Sequence, residues 1–254
     1  MAAAVAQRAR VVEDGGPRRL HRLGAAAPTA ARCLARVRRW GRAWWRDAPG
    51  TAVYLIILAT TSVTLQGTSP RLTERLLISV STNLDNVSHR PVQVLVSSAL
   101  WVDRSWTGLL AVVGLALLLG PSERWFGTWR TAVVYIVGHS VATLTTVLVL
   151  HARIVAGSAD PSLASMTDVG VSYGLAAVVG LWTYRLRGST MRALWLSVFV
   201  GTLGAAAVIG GDSTDLGHLI GLVCGLVLGW FVGRQVPEPD RTGTDRTTLT
   251  ATTR

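Results

Sequence analysis

The sequence contains no lysine, and only 15% of its 254 residues are charged. A soluble domain carries about 25% charged residues, so this deficit argues against a soluble fold. The charges collect in short segments, and long uncharged runs lie between them from residue 51 to residue 233. All 25 basic residues are arginine, which together with abundant alanine, glycine and valine indicates a GC-rich bacterial genome.

Cysteine is scarce as well. Cys33 lies in a basic segment and Cys224 lies inside an apolar run. A disulfide between a cytoplasmic residue and a residue within a membrane span is not expected. No motif suggests a metal site or an organic cofactor, so we predict neither.

Six apolar runs are present instead, and they predict an all-α integral membrane protein with six transmembrane helices. Some runs are shorter than the ~20 residues of a straight span, so their helices must extend into the flanking residues. The runs are 51–66, 105–119, 131–151, 168–183, 193–209 and 216–233. The predicted organisation is an Arg-rich cytoplasmic segment (1–48), a six-helix membrane domain (49–234) and a disordered cytoplasmic tail (235–254).

The arginines also predict the orientation and the partner of the chain. Eleven arginines precede residue 47, beside three tryptophans and directly before the first apolar run. This position indicates an anchor on anionic lipid rather than nucleic-acid binding, despite the net charge of +11. Loops 120–130 and 184–192 carry further arginines, whereas loop 210–215 carries only acidic charges. The positive-inside rule therefore predicts that both termini lie in the cytoplasm of a bacterial plasma membrane.

The first outer loop, residues 67–104, carries apolar residues at helical spacing. A stripe from Leu72 to Leu84 predicts one amphipathic helix, and a second apolar stretch follows Pro91. We expect this loop to lie in the outer membrane interface.

Two polar elements interrupt the apolar spans, and both point to chemistry. Residues 168–174 (D-V-G-V-S-Y-G) open the fourth span, and residues 215–221 (D-L-G-H-L-I-G) open the sixth. Ser172 and His218 each lie three to four residues into spans that enter from the same face, which predicts a similar depth of roughly 5–6 Å. A neutral histidine can accept the proton of a serine hydroxyl and so activate it as a nucleophile.

Glycines predict that these two spans pack closely. The sixth span carries Gly221, Gly225, Gly229 and Gly233 at intervals of four, and the fourth carries Gly170 and Gly174. Small residues at this spacing allow two helices to approach closely in a bilayer. Such packing would bring Ser172 towards His218.

These residues resemble the motifs of the rhomboid intramembrane serine proteases. Residues 170–174 (G-V-S-Y-G) are similar to the family's GxSG, and residues 217–225 (G-H-L-I-G-L-V-C-G) are similar to its AHxxGxxxG. Residues 120–127 (G-P-S-E-R-W-F-G) look like the junction between its second and third helices. The resemblance covers roughly residues 50–233. It implies a divergent bacterial branch, of actinobacterial type, with the rhomboid six-helix bundle, Ser172 as nucleophile and His218 as general base.

The sequence departs from the family pattern at two places. Tyr173 replaces the second glycine of GxSG. The family's second helix carries a His and an Asn that stabilise the oxyanion, and the matching positions here hold Thr107 and Ala111, or Gly108 and Val112 in the neighbouring register. His139, on the third span and expected to lie deeper than Ser172, is either a packing residue or a substitute donor. Asp168 and Asp215 are either helix N-caps or orienting carboxylates.

Two functions follow from this reading. The first is an intramembrane serine endopeptidase that cleaves transmembrane segments of membrane proteins. The second is a catalytically inactive pseudoprotease that binds client transmembrane helices. A transporter is the third alternative, but no pair of broken helices repeats between the halves of the chain.

Overall fold

The structure is a computed structural model that describes residues 29–103, 105–209 and 213–234. The predicted tail from 235 to 254 and the first 28 residues lie outside the described residues. Contacts divide the chain into two units, residues 1–43 and 44–254. The regular secondary structure of the described residues is helical throughout.

Ten α-helices follow one another along the described chain. Their bounds are α1 Thr29–Asp47, α2 Pro49–Gln66, α3 Pro70–Val80, α4 Leu84–His89, α5 Pro91–Ser98, α6 Trp106–Phe126, α7 Thr128–Val155, α8 Ser172–Trp182, α9 Ser189–Ile209 and α10 Ser213–Arg234. A short 3₁₀ helix, Pro161–Ser165, lies between α7 and α8.

Five of these helices, α2, α6, α7, α9 and α10, are long and apolar enough to cross a membrane. Many large apolar side chains remain exposed on them, among them Leu117, Leu148 and Val208. Such surfaces are stable only where lipid tails replace water. The chain is therefore a multi-pass membrane protein, as its composition predicts.

The α6–α7 junction is much tighter than the predicted loop at 120–130. Helix α6 continues through Pro121 to Phe126, and only Gly127 separates it from α7. Gly127 has φ of +87°, which an L side chain rarely adopts, so glycine permits the chain reversal there. The predicted inner loop is thus mostly helical.

A buried carboxylate joins this junction to the start of α2. Glu123 accepts hydrogen bonds from the backbone N–H groups of Gly50 and Thr51 at 2.8 and 2.7 Å. It also accepts from the hydroxyls of Thr51 and Thr128, each at 2.6 Å. The first N–H groups of a helix have no intrahelical partner, and a negative charge favours their positive end. Glu123 therefore caps α2 and fixes α2, α6 and α7 to one another at this end of the bundle.

The first loop forms three short helices, and part of it packs inside the bundle. The predicted single amphipathic helix ends at Val80, because residues 81–83 leave the helix and Asn83 caps α4 through the N–H of Asn86. The C-terminal end of α5 reaches between α2 and α7. There the carbonyl of Ala99 accepts a 2.6 Å hydrogen bond from the hydroxyl of Tyr54. The end of the loop is thus a wedge between membrane helices, and its position relative to the membrane interface stays a prediction.

Helix α8 is short and lies at the centre of the bundle. Its 11 residues include eight that are buried, and its neighbours are α6, α7 and α10. At 1.5 Å per residue it is about 16 Å long, roughly half the thickness of a bilayer core. Helix α9, in contrast, has no buried residue among those described and contacts the bundle at its edge.

Candidate functional site

The segment that leads into α8 is held by the first loop. The carbonyl of Asp168 accepts from the backbone N–H and the hydroxyl of Thr82, both at 2.9 Å. Two residues later, the N–H of Gly170 donates to the carbonyl of Ser98 at 3.2 Å. The hydroxyl of Tyr135 on α7 donates to the carbonyl of Val171 at 3.2 Å. These bonds fix the backbone up to the residue before Ser172.

Ser172 is the first residue of α8, and it is half-buried. The sequence suggested a position about four residues inside the helix, but residues 168–171 approach α8 without being helical. The far end of α8 lies near the end of α6, where the rings of Trp125 and Trp182 are 4.7 Å apart. Ser172 therefore lies about 16 Å along α8 from that end, and its depth in the bilayer stays a prediction.

The start of α8 lies directly against α10. A Cβ atom on Gly221 would be 2.6 Å from the carbonyl oxygen of Tyr173 and 3.3 Å from Cβ of Ala176. A Cβ on Gly217 would be 2.6 Å from the ring of Tyr173. Real Cβ atoms do not come this close to such neighbours, so glycine at both positions is what lets the two helices meet.

His218 is brought to this contact by α10. Its ring packs edge-on against the ring of Tyr173, with a centroid separation of 5.1 Å and an interplanar angle of 67°. His218 is half-buried, whereas Tyr173 is only 3% exposed. The structure therefore brings the residue after Ser172 into direct contact with His218. Edge-to-face geometry of this kind is a favourable arrangement of two aromatic rings and restrains the histidine ring.

His139 of α7 lies on the other side of Tyr173, with ring centroids 6.3 Å apart. It is 4% exposed, and its Nε2 atom lies 3.2 Å from both the carbonyl oxygen of Leu95 and the hydroxyl of Ser98. A carbonyl can only accept, so Nε2 carries the hydrogen in this arrangement. His139 thus lies close to the residue that follows Ser172, and its depth relative to Ser172 stays a prediction.

This tautomer decides what the Ser98–His139 pair can do. Because Nε2 donates, it has no lone pair with which to accept the proton of Ser98. Ser98 is also only 1% exposed. The pair therefore joins α5 to α7 structurally. The remaining nitrogen of His139, Nδ1, is buried and has no hydrogen-bond partner among the described residues.

The second long membrane helix, α6, supplies few polar groups near the site. Thr107 lies at its exposed first turn, where its hydroxyl is 2.7 Å from that of Ser105. Ala111 and Val112 pack against the main apolar cluster, which includes Leu58 and Tyr135. Gly108 is buried and donates its N–H to Ser105 as part of the helix cap. None of these four predicted positions supplies a side-chain donor inside the bundle.

The two aspartates lie at different kinds of position. Val171, not Asp168, is the N-cap residue of α8. The Oδ2 atom of Asp168 lies 3.1 Å from the hydroxyl of Thr82 and 3.5 Å from that of Tyr173, the second at the outer limit of a hydrogen bond. Asp215 lies in the first turn of α10, where a negative charge interacts favourably with the helix dipole.

The remaining predicted glycines differ in their surroundings. A Cβ on Gly174 would overlap the ring of Tyr135, and one on Gly225 would overlap the carbonyl of Ala177. Gly170 precedes α8, with φ of +155°, and a Cβ there would meet only atoms of Ser172 within 4 Å. Glycine is needed there for the backbone conformation rather than for helix contact.

Sequence reasoning did not assign a role to Tyr135, Ser98 or Glu123. The hydroxyls of Tyr135 and Tyr54 are 2.6 Å apart. The Tyr135 hydroxyl donates to the carbonyl of Val171, and the Tyr54 hydroxyl donates to the carbonyl of Ala99. A tyrosine in the interior of an apolar span is a usable signal, because its hydroxyl must find a partner there. The partners themselves are distant in sequence and could not be named.

Comparison with known families gives one match. A family model described as Rhomboid-like protein matches residues 43–234. No curated protein and no solved structure matches the chain. Since the match covers the whole described bundle, from the last turn of α1 to the end of α10, the chain belongs to the rhomboid-like protein family.

Proposed function

We propose that this chain is an intramembrane serine endopeptidase of the bacterial plasma membrane, with Ser172 as nucleophile and His218 as general base. The observation that carries the proposal is the meeting of α8 and α10 at Tyr173. The carbonyl of Tyr173 lies against Gly221, and its ring lies against His218. Residues 49–234 are the catalytic domain, in which α8 is the fourth of six membrane helices, and both termini lie in the cytoplasm.

The reaction is acyl transfer to Ser172. His218 accepts the hydroxyl proton as Oγ attacks the carbonyl carbon of the scissile peptide bond, and it then protonates the leaving amine. The product is an ester of Ser172. Water hydrolyses this ester when His218 accepts a proton from the attacking water and then returns a proton to Oγ of Ser172. The substrate is a membrane protein whose transmembrane segment unwinds enough to expose a peptide bond.

The oxyanion requires donors that α6 does not provide. Backbone N–H groups in the first turn of α8 have no intrahelical partner, since they begin the helix. Ser172 and Gly174 carry two of these groups, and the positive end of the helix dipole favours a negative oxygen there. Such backbone donors support acylation without side-chain donors from α6. His139 does not supply the missing donor, because its Nε2 atom is bonded to Leu95 and Ser98.

Water must reach Ser172 for hydrolysis. The segment before α8 supports this, because polar groups lie over the start of the helix. Ser81, Thr82 and Asp168 form hydrogen bonds to one another in that region. Irregular backbone at membrane depth is tolerated where it is buried in protein or lines a wet cavity.

The second candidate is a pseudoprotease that binds client helices without cleaving them. The contact of Tyr173 with His218 favours this function, because the buried Tyr173 ring lies on the side of His218 that adjoins α8. The lack of side-chain donors on α6 points in the same direction. In this function Ser172 is a packing residue, and replacing it leaves client binding intact.

Covalent labelling by a serine-directed fluorophosphonate distinguishes the two functions. Purified wild-type protein is compared with Ser172→Ala and His218→Ala, and Ser98→Ala serves as a matched control for a buried serine. The endopeptidase predicts labelling of wild type and of Ser98→Ala, and loss of labelling in the other two variants. Absence of labelling in folded wild-type protein, with client capture unchanged in Ser172→Ala, would favour the pseudoprotease.

A further inference from the structure

Helix α1 is joined to the membrane bundle by a single residue. It ends at Asp47, and α2 begins at Pro49, so only Ala48 lies between the two helices. The last turn of α1 is also packed against α6. Trp44 is 9% exposed, a Cβ on Gly120 would be 2.7 Å from its ring, and the Arg124 guanidinium lies 5.8 Å from the ring centroid. The end of α1 is therefore held at the membrane boundary where α2 starts.

One face of α1 carries exposed arginines. At 100° per residue, the five arginines whose exposure is described fall within an arc of about 160°. They are Arg36, Arg38, Arg39, Arg42 and Arg46, and each of them is exposed. Asp47 is the acidic residue of α1, and it is the last one in the helix.

The other side of the helix is apolar. Leu34 is 61% exposed and Trp45 is 58% exposed. Together with Gly41 they fall within an arc of about 40°, centred about 120° from the centre of the arginine arc. Arginine and exposed large apolar side chains are thus segregated around one helix.

We propose that α1 lies flat on the membrane leaflet at which α2 begins and that it binds anionic phospholipid there. Segregated apolar and basic faces are typical of helices that lie in the interfacial plane. The apolar face enters the boundary of the acyl chains, and the arginines contact lipid phosphates, which the guanidinium can bind with two hydrogen bonds. The direct chain connection to α2 keeps α1 near the membrane surface, so α1 needs no separate signal to reach the lipid.

Nucleic acid is the other polyanion that such a basic face could bind, and two observations disfavour it. The exposed Leu34 and Trp45 on the other face have no role in a phosphate-backbone contact. The position next to α2 also places the arginines within reach of a charged lipid surface, where each basic residue contributes favourably.

A fluorescent label on each face of α1 tests the proposal in the full chain. Cys33 and Cys224 are replaced by serine, and an environment-sensitive dye is attached after Leu34→Cys or, as the matched control, after Ala35→Cys on the arginine face. The protein is reconstituted in nanodiscs of phosphatidylcholine with or without phosphatidylglycerol. Spin-labelled lipids in the discs quench a dye that enters the acyl boundary.

The proposal predicts a blue shift of the dye at position 34 in anionic discs, with quenching at least about two-fold greater than in neutral discs. The dye at position 35 stays in water. Replacing Arg36, Arg39 and Arg42 by glutamine removes the difference between the discs, as does ~1 M salt, which shortens the screening length to about 3 Å. Equal quenching in both discs would overturn the proposal. A blue shift produced by duplex DNA but not by phosphatidylglycerol would overturn it in favour of nucleic acid.

Discussion

Replacement of Gly225 by alanine tests the helix contact on which the candidate site depends. A Cβ at this position would overlap the carbonyl oxygen of Ala177, which is backbone and cannot rotate away. Ala177 is itself fully buried at the centre of the bundle. Helix α10 must therefore move away from α8, which also separates Gly221 from Tyr173.

The size of the effect follows from two opposing contributions. Overpacking of a tight interior costs about 1–3 kcal/mol, and a clash with backbone is at the upper end of that range. Alanine regains up to about 1 kcal/mol of helix propensity. We expect Gly225→Ala to lose about 2 kcal/mol of stability, which corresponds to a fall of roughly 4–8 °C in the unfolding midpoint.

The matched control is Gly201→Ala in the middle of α9, where a Cβ would meet nothing within 4 Å. This variant gains helix propensity without a clash, so its midpoint should equal or exceed that of wild type. Thermal unfolding in detergent, followed by the loss of monodisperse protein, measures both variants. Equal midpoints for Gly225→Ala and Gly201→Ala would refute the close packing of α8 and α10.

Substitutions at three further positions give separate predictions. Tyr173→Phe keeps the ring against His218, so it should change the fluorophosphonate labelling rate by less than about two-fold. Tyr173→Ala removes the ring and should lower that rate at least about ten-fold, equivalent to about 1.4 kcal/mol. A larger loss in Tyr173→Phe than in Tyr173→Ala would contradict a positioning role for the ring. Glu123→Ala leaves the donors at the start of α2 without their acceptor and should cost about 1–3 kcal/mol of stability. An unchanged unfolding midpoint would contradict the capping role. Tyr54→Phe removes the donor to the carbonyl of Ala99 and should lower the free energy of unfolding by about 1–3 kcal/mol. Amide hydrogen exchange at the end of α5 should become faster. Unchanged exchange there would mean that other contacts hold the wedge.

The sequence alone predicts the membrane class, the positions of the long helices and the family. Uncharged runs and arginine distribution carry this information, because a bilayer imposes length and polarity on each helix. The four-residue spacing of glycines in the sixth span likewise anticipates a close helix contact, and the structure has α8 packed along α10.

The start of α8 could not be read from the sequence. Residues 168–171 precede the helix in a non-helical segment, which is held by hydrogen bonds to Thr82, Ser98 and Tyr135. Those partners lie 36 to 86 residues away in the chain. Only the tertiary structure therefore reveals that Ser172 is the first helical residue.

The roles of Tyr173 and Glu123 were hidden for a similar reason. Tyr173 looks like a departure from GxSG in the sequence, and only its contact with His218 indicates what the ring does. Glu123 stands beside Arg124 in a segment expected to be a polar loop, yet it is 4% exposed. Its partners at the start of α2 are 72 and 73 residues away.

Mapping the labelled residue tests the central assignment most directly. Wild-type protein is reacted with a fluorophosphonate, digested and analysed by mass spectrometry, with His218→Ala and His139→Ala in parallel. The assignment of Ser172 and His218 as the catalytic pair predicts a phosphonate on Ser172 in wild type and in His139→Ala, and none in His218→Ala. A phosphonate on Ser98 that is lost in His139→Ala, or labelling of Ser172 that persists in His218→Ala, would contradict it.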